Sequence, residues 1–164
     1  MMSQAFAAGL TSALIDGACT EALPGLTGET KCALIVAEHG LDVLCTLLRR
    51  GCPAATVVRP GEKPDSDCYA LIVVPKASDF ETPDMIVRLA CRYLARDGVM
   101  MMRVADDATA RALGRRLRLN GFSVSRPLAD RNGLMLRASR RSDRPVSGGS
   151  PQRAGSTAAI LGLK

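Results

Sequence analysis

The only histidine in the 164 residues is His39, and it directly follows Glu38. An imidazole changes charge near neutral pH, so with a carboxylate beside it the pair has the parts of a general acid–base couple. Sequence neighbours often point apart, and no nucleophile motif accompanies these two. The competing reading makes His39 a helix N-terminal residue that caps the helix or faces solvent. Arg59 and Lys76 form a second candidate, an anion site at strand ends near helix N-termini. As the plainer alternative, Arg59 is a solvated loop charge. Asp79, Glu81 and Asp84 are candidate catalytic acids, or acids that complement the N-terminus of a helix.

Six cysteines stand at 19, 32, 45, 52, 68 and 91, with no C-x-x-C pair. Cys32 lies in "KCALIV" and Cys91 in "RLACRYL", which reads as buried thiols acting as small hydrophobes. One histidine and no paired-ligand spacing give no basis for a metal site. Free thiols suit a reducing compartment, and the expected location is cytoplasmic. No apolar run is long enough to span a membrane. The N-terminal "MMSQAFAAGLTSALIDG" has no basic leader and reads poorly as a secretory signal.

Charge is unevenly spread. The first hundred residues carry nine basic and twelve acidic side chains, and the remainder carry thirteen and four. Arg111, Arg115 and Arg118 fall on one face of a single helical stretch, at i, i+4 and i+7. Ala108, Ala112 and Leu119 are expected to face the sheet. Arg116, Arg126, Arg131, Arg137, Arg140 and Arg141 extend the basic surface. An acidic protein or a nucleic acid is the kind of partner such a surface meets. Only three Phe and two Tyr are available to stack on bases.

The elements that must position these residues follow from hydrophobic pattern. Apolar positions Phe6, Leu10, Leu14 and Ile15 predict an amphipathic helix over Ser3–Gly17. "CALIVA" (Cys32–Ala37) and "YALIVVP" (Tyr69–Pro75) are continuous apolar runs of strand length, as in strands buried on both faces. Ala54–Val58 is a further strand. Leu41–Arg50 reads as a helix with Leu44, Leu47 and Leu48 inward and basic residues before a closing Gly51. Thr82 and Pro83 open a helix that Arg96–Gly98 is expected to close. Val99–Val104 is a strand, and Asp106 or Asp107 caps a helix running to Leu119. Phe122–Arg126 and Leu134–Ser139 read as an antiparallel pair joined by a polar loop. Strands alternating with helices imply a parallel sheet with helices on both faces. Ligands in such sheets bind at the carboxyl ends of the strands. The expected organisation is an N-terminal helix and loop over 1–30, an α/β domain over 31–139, and a disordered basic tail over 140–164, rich in Ser, Gly, Pro and Arg.

Within this pattern, "RYLARDGVMMMRV" (Arg92–Val104) and "LRLNGFSVS" (Leu117–Ser125) resemble the class I S-adenosylmethionine-dependent methyltransferases. In that family a helix ends in a motif like R-x-L-x-P-G-G before a strand, and a later strand reads L-x-x-x-G-F-x-V. The resemblance covers Lys31–Ser139. It implies an α/β, Rossmann-like sheet, mostly parallel with an antiparallel last strand (Leu134–Arg140). It also implies S-adenosylmethionine as cofactor, held by Ala37, Glu38, His39, Gly40, Arg59, Pro75 and Lys76.

The cofactor motifs depart from the family's pattern. The family's first loop is acid-x-G-x-G-x-G. Here Ala37, His39 and Leu41 fall on the glycine positions and Ile35 on the acid. Gly40 is out of register, and Leu41 is expected to intrude on the ligand. The acid that binds the ribose hydroxyls at the end of the second strand is replaced by Arg59, which cannot accept a hydrogen bond. Glu62 can serve in its place if the loop folds back. The fourth-strand motif has Ala70 after Tyr69. The expectation is a methyltransferase-like protein with weakened or lost cofactor binding, acting as a binding or regulatory module. The alternatives are a small active methyltransferase and a nucleic-acid-associated protein using its Arg-rich C-terminal third.

Overall fold

A computed structural model describes residues 32–130 and 133–140. The helix expected over Ser3–Gly17, Arg131 and the chain from Arg141 onward lie outside the described residues. Among the described residues, seven strands form one sheet: β1 (Cys32–Val36), β2 (Ala54–Val58), β3 (Tyr69–Val74), β4 (Leu94–Val104), β5 (Phe122–Val124), β6 (Leu128–Asp130) and β7 (Gly133–Arg140). The helices are α1 (Leu41–Arg49), α2 (Pro83–Tyr93) and α3 (Asp107–Leu119), with a short 3-10 turn at Ala77–Asp79. The order across the sheet is β2-β1-β3-β4-β7-β5, with β6 paired to β7. β1 to β4 are mutually parallel and β7 runs antiparallel to β4. This is the Rossmann-like, methyltransferase-type sheet that the sequence implied.

β1 and β3 carry the core because their apolar residues alternate between two occupied faces. Leu34, Val36, Ile72 and Val74 pack with Ile86, Ala90, Leu113 and Leu117 of α2 and α3. Ala33, Ile35, Leu71 and Val73 pack on the other face with Val43 and Leu47 of α1. All six residues of β3 are buried. Full burial on both faces removes the polar alternation of a half-exposed strand, so the sequence shows a continuous apolar run.

Several packing expectations are corrected. On α3 the buried residues are Ala110, Leu113, Gly114 and Leu117, at i, i+3, i+4 and i+7. Ala108 and Ala112 are exposed, and Leu119 is 77% exposed. The arginine side of the helix is outward as expected, but the sheet-facing side lies about half a turn from Ala108, Ala112 and Leu119. On α1, Leu48 is 47% exposed, and Val43 and Leu47 carry the contact. Of the cysteines, Cys52 is buried, whereas Cys45, Cys68 and Cys91 are exposed. Cys45 and Cys91 lie on helices on the solvent side of the packed residues, and Cys68 lies in a loop. α2 ends at Tyr93 rather than at Arg96–Gly98. Those three residues lie instead in an irregular start of β4, where Tyr69 pairs with Leu94 but Leu71 pairs with Val99. Asp97 takes a left-handed φ of 62° there, a region that Asp tolerates better than most side chains. Part of the polar segment before β7 is the strand β6.

The connection from β2 to β3 has no helix. Residues 59–68 cross past β1 as a loop. A parallel crossover usually contains a helix and spans roughly a dozen residues or more. The loop is held by Tyr69, whose buried hydroxyl accepts from the Ser66 backbone N–H at 3.2 Å. Pro64 is buried beneath it.

Candidate functional site

The carboxyl ends of β1 and β2 open into a cleft of about 440 Å³, lined by Ala37–Asp42, Val57, Val58, Arg59 and Glu62. That volume falls in the range of small-molecule sites. Its floor continues the sheet, with Ala37 N–H donating to the Val58 carbonyl at 3.0 Å. Its wall is the start of α1, where Gly40 is the N-cap and supplies no side chain to the first-turn N–H groups.

The missing glycines do not close this cleft. Among the described residues, the one non-glycine with positive φ is Asp97. Ala37, Glu38 and His39 therefore turn the chain without the left-handed conformations that favour glycine. Gly40 has a different task. A Cβ at this position would sit 2.7 Å from Val57 Cγ1 and 3.1 Å from Ile35 Cγ2. Its lack of a side chain lets the start of α1 pack onto β1 and β2, the close helix–strand approach that dinucleotide loops assign to a glycine. Leu41, expected to intrude on the ligand, lines the cleft and is 70% exposed.

At the end of β2 the loop folds back. Glu62 N–H donates to the Arg59 carbonyl at 3.0 Å, and Arg59 N–H donates to Glu62 Oε2 at 3.0 Å. Pro60 and Gly61 occupy the two central positions, and Gly61 has φ +90°. Pro second and a positive-φ Gly third fit a type II turn. The turn brings a carboxylate back to the strand end that Arg59 occupies in the sequence. Glu62 was thus named only conditionally, and the signal that fixes it is "RPGE".

The other candidates separate. His39 and Glu38 are both exposed at the rim, and no hydrogen bond joins them. Lys76 and Pro75 line a second cleft of about 260 Å³ at the ends of β3 and β4, with Ser78 and Arg103. Arg59 and Lys76, paired in the expected anion site, line different clefts. β1 lies between β2 and β3, so their strand ends are roughly 10 Å apart. Lys76 instead contacts Asp79 at 3.3 Å. Asp84 pairs with Arg116 of α3, whose hydrogen bond and charge hold the Asp84 carboxyl below the usual carboxylate range. Asp79 and Asp84 are thereby engaged in ion pairs rather than set in either cleft as free acids.

The arginine face of α3 is also largely engaged locally. Arg111 pairs with Asp107 at 2.6 Å, and Arg118 donates to the Val124 carbonyl at 3.4 Å. Arg115 and Arg126 are exposed. Arg140 donates to the Leu94 carbonyl at 2.9 Å.

No protein-family profile matches the sequence, and no curated protein shows significant similarity to it. Solved structures do match. The chain is similar to a release-factor-specific protein-(glutamine-N5) methyltransferase from Alicyclobacillus acidocaldarius subsp. acidocaldarius DSM 446. Identity is 18% and the TM-score 0.51, covering 81% of this chain and 93% of that one. It is also similar to a ribosomal protein L11 methylase from Lactobacillus delbrueckii subsp. bulgaricus. Identity there is 15% and the TM-score 0.59, covering 81% of this chain and 78% of that one. The chain has the fold of the class I S-adenosylmethionine-dependent methyltransferases. Among the described residues, no helix is long and apolar enough to cross a membrane.

Proposed function

We propose that this is a methyltransferase-like protein that binds S-adenosylmethionine in the cleft between β1 and β2. The observation that carries the reading is Glu62. Its carboxylate is fixed at the end of β2 by the Arg59 backbone, where a methyltransferase-type site needs an acceptor for the two ribose hydroxyls. A carboxylate can accept both hydrogen bonds, and Arg59 can accept neither. Glu38, Asp42 and Glu62 outnumber the cations in the lining, which suits a sulfonium ligand. Val57 and the exposed Leu41 offer apolar surface to a base. S-adenosylmethionine, when bound, supplies an electrophilic methyl group; the chain's own residues bind and orient it.

The second cleft favours a second reading, a binding or regulatory module without methyl transfer. Its side-chain polar groups are Lys76, Ser78 and Arg103. Lys76 and Arg103 can only donate, and no carboxylate in the lining can take a proton from an acceptor. Calorimetric titration of the full chain with S-adenosylmethionine and S-adenosylhomocysteine tests the binding reading. Micromolar affinity that Glu62→Ala weakens at least about tenfold supports it. No heat at millimolar ligand contradicts it.

A further inference from the structure

A third concavity lies away from the strand-end clefts. Residues 61–63 of the helix-less crossover and the outer side of α2 enclose a groove of about 340 Å³. Phe80 and Tyr93 are buried at its base, and Met85 and Leu89 stand half-buried along it. Lys63, Arg88 and Arg92 are exposed on its rim. Positions 85, 88, 89 and 92 lie at i, i+3, i+4 and i+7, so one face of α2 carries an apolar ridge beside a cationic one. The Arg92 guanidinium also lies 5.2 Å from the centroid of the Tyr93 ring.

Two features indicate what fits. First, the groove is in the helical layer. The β2–β3 connection crosses as a loop where a parallel crossover would normally place a helix against the sheet. Space beside α2 therefore lies where a helix would pack, with Met85 and Leu89 of α2 as its apolar wall. Second, its charge is one-sided. Glu62 is the one acid among its lining residues, and that carboxylate is held by the Arg59 N–H. Asp84, one turn before Arg88, is held by Arg116.

We propose that this groove docks a short acidic amphipathic helix of a partner protein. Its apolar side chains seat along Met85 and Leu89, and its carboxylates face Lys63, Arg88 and Arg92. This is helix-in-groove recognition, with a flexible methionine in the wall to adapt to the anchor. The charges set which partner is accepted and speed its encounter. The proposal does not depend on the cofactor reading.

Fluorescence anisotropy of the full chain tests it with three probes. One is a fluorescein-labelled peptide of about three helical turns, with Leu along one stripe and Glu and Asp elsewhere. The second has Lys in place of every acid, and the third is a labelled oligouridylate. The acidic peptide should bind with micromolar affinity that weakens with salt, and the other two should bind far more weakly. Arg88→Glu with Arg92→Glu should weaken binding about tenfold or more, as should Leu89→Ala, with circular dichroism reporting that each variant folds. Alanine at Arg111, Arg115 and Arg118 together should leave the affinity unchanged. Equal binding of the two peptides, tighter binding of the oligouridylate, or an affinity indifferent to reversal at Arg88 and Arg92 would overturn the proposal. Self-association that occupies the groove in the absence of peptide would also overturn it.

Discussion

Arg59 and Glu62 hold each other through the backbone: the carbonyl of the first accepts from the N–H of the second, and the N–H of the first donates to the carboxylate of the second. The pair sets a carboxylate at the end of β2 although the residue in register there is a cation. The consequence is an asymmetry between two substitutions. Glu62→Ala should weaken S-adenosylhomocysteine binding roughly tenfold to a hundredfold, the effect of losing hydrogen bonds to a charged acceptor. Arg59→Ala keeps the backbone bonds and should change affinity far less. Calorimetry of the two variants compares them directly. Gly61→Val should behave like Glu62→Ala, because a β-branched residue resists the positive φ that closes the turn.

Gly40 is predicted to be a packing residue rather than a ligand residue. Gly40→Ala brings a methyl against Val57 and Ile35, and overpacking of this kind costs about 1–3 kcal/mol. The melting temperature should fall. Combining it with Val57→Ala should restore part of the loss, since the two sites are in contact and couple. If the single variant melted like wild type, the close approach of α1 to β2 would not be what the glycine provides.

These two glycines show what the sequence exposes and what it hides. β1 and β3 were legible because burial on both faces leaves continuous apolar runs such as "CALIV" and "YALIVV". α3 was legible as a helix, and its Asp106 cap accepts from Thr109 N–H at 2.8 Å. Its buried face was not legible. Ala108, Ala110 and Ala112 are equally weak hydrophobic signals, and one of the four inward positions is Gly114. Exposed thiols on α1 and α2 were hidden for a similar reason, since an apolar stretch does not state which side of a helix each residue takes. The site carboxylate was hidden because it depends on a turn, not on register. "RPGE" carries that turn, and its Pro-Gly is the readable trace of it.

Acid should weaken the α3 N-terminus. The Thr109 N–H, aided by the Thr109 hydroxyl and the Ala108 N–H, holds the Asp106 carboxyl below its ordinary value of 3.8. A carboxyl depressed in the folded state stabilises above its unfolded pKa, and that stabilisation is lost as pH falls through the folded value. Asp84, depressed by Arg116, acts in the same direction and the same window. The melting temperature should fall as pH drops from neutral to below the carboxylate range. Asp106→Asn keeps an acceptor but no titration, so its melting temperature should converge on that of wild type in acid. A constant offset between the two at every pH would show that the charge of Asp106 contributes nothing.

Glu62 lines both the β1–β2 cleft and the α2 groove. If ligands occupy both, their affinities should be linked through the loop that carries it, and linkage is reciprocal. Saturating S-adenosylhomocysteine should change the acidic peptide's affinity by some factor, and saturating peptide should change the nucleoside's by the same factor. Independent titrations would show that the shared loop does not move with either ligand.

The cleft at the ends of β1 and β2 should take a nucleoside despite its rearranged motifs. Titration of isotopically labelled full-length chain with S-adenosylhomocysteine, followed by backbone amide chemical shifts, tests it most directly. Saturable shifts are expected at residues 38–42 and 59–62, with those of residues 111–118 on α3 unmoved. Unchanged spectra at millimolar ligand, or shifts that avoid the ends of β1 and β2, would contradict it.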